Sequence, residues 1–485
     1  MRRALLLVLV VTLVGAPAFA DERTAARRFD EARRDEPSLI AFLKAMPKGG
    51  DLHHHFPWGT FAEDFLRSAA ERGLYYDPAT SRFSTTPGPV TAQKVLDDDA
   101  LRYQFLNRAS MRGATAGPAG GHDHFFRTFG IAGTSLSGAD VAEFLAEIVR
   151  RARQQNMQYL ELMTNPAPAE LDRFRNAATK DDTPETVMTR LKPELDAYVT
   201  AARAELDRWE RALASSTGAD RPVTVRYLRY AIRTDPDPKI MATWLSAFVL
   251  MKADPRVVGV NFAAPEDHPI AQGGFERHMK ILDGLWTMFD RPNVSLHAGE
   301  LTPWLSPLTP MTSRIRRSIE IGHARRIGHG VSVAWEDDLP GLLKKMRTDG
   351  IAVEICPTSN AVILGVEGDR HPFRLYRRAG VPLTINSDDE GISRSNLTME
   401  FLRAVRAWSL TYADLKALVR NSVEYSFLPG ESLFEQRDYR RVRAPYRGLK
   451  TRGWAPNATD ERALAGSDKA SVQARLERAF ADFER

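Results

Sequence analysis

The chain has 485 residues, 43% of them apolar and 27% charged, a composition that suits a globular protein with a large core and excludes a disordered or fibrous one. A formal net charge of +5 over that length gives no argument for nucleic-acid binding. A single cysteine, Cys356, excludes an internal disulfide and any cysteine-rich metal site.

Arg2 and Arg3 precede an apolar run from Ala4 to Val14, and Ala18-Phe19-Ala20 follows as a small-x-small site. Residues 1–20 therefore read as a secretory signal peptide, since the apolar run is shorter than the roughly 20 residues of a spanning helix. The expectation is a periplasmic or secreted protein with no membrane segment after cleavage. Residues 21–45 are charged and helix-prone, an N-terminal extension without visible chemistry.

From Met46 onward short apolar runs recur with helical material between them. They begin at Leu52 and continue as Gln158–Thr164, Val223–Ile232, Val257–Ala264, Val294–Glu300, Arg326–Gly330, Ile351–Pro357 and Val381–Asp389. The later runs lie roughly 25 to 40 residues apart, the length of a strand plus its crossover helix. Eight such units predict an α/β chain folded as a (β/α)8 TIM barrel over residues 46–436. Gly138–Asn156 reads as a helix, with acids early and arginines late. The gap at 59–136 predicts a helical insertion after the first strand, and a long charged helix is expected around Glu185–Ser215. Barrel-closing helices follow at Leu397–Tyr425. Residues 437–485 read as a polar tail that ends in a helix at Ser471–Glu484.

The ionisable residues fall where such a barrel carries its chemistry, at the carboxyl ends of the strands. His53 and His55 end the first run, His297 and Glu300 the fifth, His329 the sixth, and Asp388 and Asp389 the eighth. Strand alternation puts His53 and His55 on one face and His54 on the other. With His297 and Asp388 from across the barrel they form a nitrogen and carboxylate set suited to zinc. A second His-x-His, His122 to His124, lies in a Gly-rich stretch read as a loop of the insertion. It has no evident partner ligands and reads as a pocket cap or a structural feature. Cys356 has no neighbour that would form its thiolate and reads as packing.

The motifs "HAGE", "GHG" and "SDD", together with "MPKGGDLHHH", resemble the adenosine/AMP deaminase family of metal-dependent hydrolases. They are most similar to its exported, growth-factor-like branch. The resemblance runs from about Met46 to Leu428. It implies one zinc ion per chain held by His53, His55, His297 and Asp388, with an open position for water. It further implies that Glu300 is protonated and meets purine N1, that His329 orients the attacking oxygen and helps take its proton, and that Asp389 shares a proton with N7. The partner so implied is a small-molecule purine nucleoside, adenosine or 2′-deoxyadenosine, with inosine or 2′-deoxyinosine and ammonia as products. Relatives of that branch often dimerise, and Asp21–Lys44 is the stretch that would carry a homodimer contact here.

The chain departs from the family on the sugar side of the ligand. Pro57 and Trp58 follow the first-strand histidines, Ala263-Ala264-Pro265-Glu266 replaces a Gly-containing turn, and Asn261 stands for an aspartate. Pro57, Trp58 and Ala264 are accordingly candidate substrate contacts that change the wall. Free adenine or another 6-aminopurine derivative is the alternative substrate. An extracellular binding or growth-factor-like protein, with the barrel as scaffold, is the alternative of a different class.

Overall fold

Eight parallel strands carry the residues singled out above, in a computed structural model that describes residues 22–136, 138–216 and 222–485. The segment read as a signal peptide lies outside the described residues. The strands are β1 (Gly50–His55), β2 (Tyr159–Met163), β3 (Thr224–Ile232), β4 (Val257–Ala263), β5 (Ser295–Ala298), β6 (Arg326–His329), β7 (Ala352–Ile355) and β8 (Leu383–Ile385). Each coincides with one of the apolar runs. β1 to β4 form one ladder and β5 to β8 another. Isolated parallel bridges, Val260 to Val294 and His54 to Asp388, join the two ladders and close the barrel. At the second seam the Asp388 N–H donates to the His53 carbonyl at 2.8 Å, and the His55 N–H donates to the Asp388 carbonyl at 3.1 Å.

The strands read as continuous apolar runs because both faces are covered, by helices outside and by stacked side chains within. Among the exceptions, Arg229 of β3 is wholly buried and stacks over the Tyr198 ring, while others are charged and paired. Arg326 Nη2 donates to Glu161 Oε2 and its Nε to Glu354 Oε1, each at 2.5 Å, while the Tyr159 hydroxyl donates to Glu161 at 2.7 Å. This pairing lets β2, β6 and β7 carry charge through the interior, where an unpaired ion would be strongly disfavoured.

The N-terminal extension is helical, as α1 (Glu22–Ala32) and α2 (Glu36–Ala45). Its apolar residues Ala25, Phe29, Leu39 and Leu43 are wholly buried within the chain. That face is used within the chain.

The insertion is mostly helical, as expected, with helices at Ala62–Glu71, Ala92–Asp97, Asp99–Arg108 and Gly121–Ala132, but it also holds strands. Tyr75–Asp77, Arg82–Ser84 and Val90–Thr91 form a small antiparallel sheet. The Asp77 carboxylate accepts from the Ala79 N–H and the Thr80 hydroxyl, which turns the chain into a hairpin. The Gly-rich stretch is not a loop throughout, because His122 and His124 lie in the first turn of α3 (Gly121–Ala132). Phe125, Thr128, Ile131 and Ala132 give that segment a buried helical face.

The C-terminal region is likewise more than a polar tail. Leu433, Phe434, Val442, Tyr446, Leu449, Leu464, Ala470 and Ala474 form a core of their own. Tyr412–Glu424 (α4) and Asp468–Phe483 (α5) then pack with the N-terminal helices: Lys416 on α4 bonds both Glu22 and Glu484, and Phe42 meets Tyr412 and Phe483 edge-on. Among the described residues no helix is long and apolar enough to cross a membrane.

Candidate active site

The barrel brings the strand-end residues to one place. His53 Nε2 lies 3.0 Å from His297 Nε2 and 3.5 Å from Asp388 Oδ1; His55 Nε2 lies 3.2 Å from His297 Nε2 and 3.3 Å from Asp388 Oδ1. Metal–ligand bonds of 2.0–2.1 Å in a tetrahedron put ligand atoms roughly 3.3 Å apart. The four donors therefore already stand at the spacing of a tetrahedral first-row metal, and Asp388 Oδ1 is buried without a hydrogen-bond donor of its own. His54 points away from them, toward Glu390.

The ligand rings are held from behind. His53 Nδ1 donates to Glu354 at 2.6 Å, and His297 Nδ1 donates to the Asn261 side-chain oxygen at 2.8 Å. Each bond leaves the Nε2 lone pair facing the cluster, the usual arrangement behind a metal-binding histidine. Gly328 permits the approach, because a Cβ there would lie 2.6 Å from His53 Cε1. Burial lowers His55 to about 4 and His297 well below its ordinary value. At His53 burial is outweighed by the facing carboxylates of Asp388 and Glu354, which raise it to about 10. The donors thus hold one positive charge as a proton, and a metal ion would displace it.

Glu300 and His329 flank this cluster, with His329 Nε2 3.7 Å from Glu300 Oε1. Burial first, then the charges of Asp388 and Glu266, push Glu300 up to about 8, so that its carboxyl is protonated at neutral pH. The Glu300 N–H donates to Glu266, itself buried between Arg233 and Arg314. Asp389 is raised well above its ordinary value by burial and by Asp388.

The tautomer of His329 follows from a chain of hydrogen bonds. The Phe373 N–H donates to His371 Nδ1 at 3.1 Å, so the proton of that ring, kept neutral by burial, sits on Nε2. His371 Nε2 donates to the Asn360 side-chain oxygen at 3.0 Å, which turns the Asn360 amide toward His329 Nδ1, also at 3.0 Å. His329, neutral because burial lowers it to about 3, accepts at Nδ1 and so carries its proton on Nε2, toward the cluster.

A cavity of about 400 Å³ opens above these groups, within the range of roughly 300–1,000 Å³ typical of small-molecule sites. His55, His297, Glu300, His329, Asp388 and Asp389 line one part of it. Tyr230 and Ile232 of β3, Ala263, Ala264 and Pro265 after β4, Ile363, Trp58, and Phe125, Phe126 and Phe129 of α3 line the rest. Trp58 and Ala264 thus stand where they were expected, and Pro57 is not among the lining residues. Neither His122 nor His124 is among the lining residues: His122 bridges α3 to Asp267 at 3.1 Å, and His124 donates to the Ser110 carbonyl. Cys356 is buried behind β7 with its thiol pushed well up by burial.

Glu354, Asn360, His371 and Arg326 were not singled out in the sequence. For Glu354 a signal existed, since an acid inside the run "IAVEICP" has no place in a buried strand unless something pairs with it.

Against this geometry, a family model described as adenosine deaminase matches residues 115–438, more than half of the chain. The chain belongs to the adenosine deaminase family. Its relatives within curated proteins differ in substrate. An aminodeoxyfutalosine deaminase of Streptomyces coelicolor is 40% identical over 139 residues, 28% of this chain and 33% of that protein. An adenine deaminase of Rhizobium meliloti is 28% identical over 236 residues, 48% of this chain and 64% of that protein. An adenosine deaminase of Clostridium perfringens is 32% identical over 139 residues, 28% of this chain and 39% of that protein. The chain therefore spans between a third and two thirds of the length of these relatives. Among solved structures, Arabidopsis ADAL complexed with IMP matches with a TM-score of 0.53 at 20% identity, over 80% of this chain and 93% of that one. An amidohydrolase from Burkholderia ambifaria with bound zinc matches with a TM-score of 0.50 at 16% identity, over 91% and 94%. Both likenesses concern the family's barrel fold.

Proposed function

We propose that the protein is an exported, zinc-dependent aminohydrolase that converts the 6-amino group of a purine nucleoside to a 6-oxo group, adenosine and 2′-deoxyadenosine giving inosine and 2′-deoxyinosine with release of ammonia. The observation that carries this reading is a protonated carboxyl, Glu300, and a second acid, Asp389, in one cavity with His55, His297 and Asp388, against which His53 is packed. Export rests on residues 1–20 alone, and assignment to the growth-factor-like branch on the motif resemblance.

His53, His55, His297 and Asp388 would hold zinc, which supplies a Lewis acid that makes a water nucleophilic near neutral pH. The side chains account for the rest. Glu300 donates its proton to N1, which draws electrons from C6 and takes up the pair released when the water oxygen bonds to that carbon. Asp389, protonated, donates to N7 and fixes the plane of the base. His329 donates from Nε2 and so orients the attacking oxygen; with its proton already on that nitrogen it supports the orienting half of the role the resemblance implies. Collapse of the tetrahedral carbon breaks the C6–N6 bond. One water proton restores Glu300 and the other leaves with ammonia.

Ammonia release from adenosine, 2′-deoxyadenosine, adenine and AMP by the mature protein, with zinc quantified, tests the reading. Turnover of a 6-aminopurine at one zinc per chain supports it. Stoichiometric zinc with no turnover of any of them, or of any other 6-aminopurine, overturns it and favours the binding-protein alternative.

A further inference from the structure

The cavity has two chemically distinct parts. Every acid and imidazole that lines it belongs to the metal cluster or to Glu300, His329 and Asp389, whereas Trp58, Phe125, Phe126, Phe129 and Ile363 make up an apolar wall. The aromatic rings brace one another: Trp58 meets Phe129 edge-on at 5.1 Å, and Phe125 meets Phe126 and Phe129 edge-on at 5.3 and 5.2 Å. Trp58, Phe126 and Phe129 nonetheless keep part of their surface free. Beyond the metal side, the tyrosine hydroxyl of Tyr230 and the indole N–H of Trp58 are the side-chain hydrogen-bonding groups on offer. Among the described residues no lysine or arginine lines the cavity. The buried Arg233 and Arg314 behind Glu300 are engaged by Glu266, and Arg233 also by the Phe262 and His297 carbonyls.

C6 and N9 lie at opposite ends of a purine. A base with C6 at the metal cluster and N1 at Glu300 turns N9, and whatever N9 carries, away from the polar groups. A sugar there loses water from its hydroxyls and finds few partners in return, which is unfavourable. A phosphate would find no cation. The geometry points to 6-aminopurines whose N9 substituent ends in an apolar, uncharged group, an alkyl, thioether or aryl terminus, as the preferred substrates. This rests on the deaminase reading and narrows it. An aryl terminus gains most, because the free ring faces of Trp58, Phe126 and Phe129 accept it in offset or edge-on contact.

Binding and turnover separate the two claims. Calorimetry on the zinc-loaded protein with unreactive product-type ligands should show 9-benzylhypoxanthine binding at least about tenfold more tightly than inosine, with no measurable binding of IMP. Inosine binding as tightly as the benzyl compound, or IMP binding at all, overturns the preference. Phe129→Asn should shrink the benzyl-to-inosine ratio at least about fivefold, and an unchanged ratio overturns the assignment of the wall. In the matching assay, 9-benzyladenine should exceed adenosine in kcat/KM by a similar factor. Tight binding of the benzyl ligand with no turnover of any 6-aminopurine upholds the apolar wall and overturns the deaminase reading. Turnover in which adenosine equals or exceeds 9-benzyladenine upholds the deaminase and overturns the preference.

Discussion

Glu300 has a protonated carboxyl as its working form, and substituting an amide tests that directly. Glu300→Gln keeps shape and the backbone bond to Glu266 but has no acidic proton to pass to N1. It should retain zinc and lose about 10²–10⁴-fold in kcat, the usual contribution of a positioned proton donor. Wild-type-like turnover would reject the role. Asn360 and His371 touch no reacting atom and act as positioning residues through His329. Asn360→Leu removes the donor to His329 Nδ1, so the ring is free to carry its proton there. We expect zinc content and KM to change little and kcat to fall roughly tenfold or more. The ¹⁵N shifts of the His329 ring nitrogens should show the proton moving from Nε2, a change that a merely structural role for Asn360 leaves absent. Sequence alternation identified the faces of His53 and His55 but not the partners behind them. Glu354 reaches His53 from β7 and Asn360 reaches His329 from the helix that follows it (Pro357–Leu364), and such pairings depend on barrel register, which a period of two leaves open.

The strands could be read because each is an apolar run bounded by helix, a pattern set by burial on both faces. The small sheet of the insertion could not, because strands of two or three residues carry no period and are held by the Asp77 turn and by neighbours. α3 shows what position in sequence conceals. Its aromatic side chains line the cavity and its first turn is fastened to Asp267 after β4 by His122. Burial lowers the His122 pKa, yet its hydrogen bonds to Asp267 and Asp123 outweigh that and raise it to about 9. The folded value lies above the ordinary 6.5, so the charged bridge stabilises fully below about 6.5 and its contribution is lost as pH rises through about 9. His122→Asn should therefore melt below the wild type at pH 6, with the gap shrinking by pH 9.5. A gap that is constant across that range would mean the bridge is not ionic.

At the level of the whole molecule, the interior alternates between two kinds of order. Apolar packing surrounds a charged layer, Glu161–Arg326–Glu354, that ends on His53 and so ties the metal set to the floor of the barrel. Bound metal should stabilise the fold by mass action. Chelation should lower the melting temperature of the wild type by several degrees and leave that of His297→Ala unchanged, since the variant has lost a ligand and should already be free of zinc. Equal shifts in both would show that the metal sits elsewhere. The terminal extensions add a second body of packing through α1, α2, α4 and α5. Sequence polarity hid it at α1, where Arg23, Arg27, Arg28 and Asp30 face solvent while Phe29 packs inward.

The seam at which the barrel closes is built from the site itself: His53 and His55 stand on the first strand, and Asp388 follows the last. The first strand emerges from the ribosome early, but its ligand set is incomplete until nearly four fifths of the chain has been made and folded around it. A chain delivered across a membrane in the unfolded state would therefore arrive without its metal. Loading would then draw on the metal supply of the destination compartment, and scarcity there would set how much of the protein becomes active, however much is synthesised.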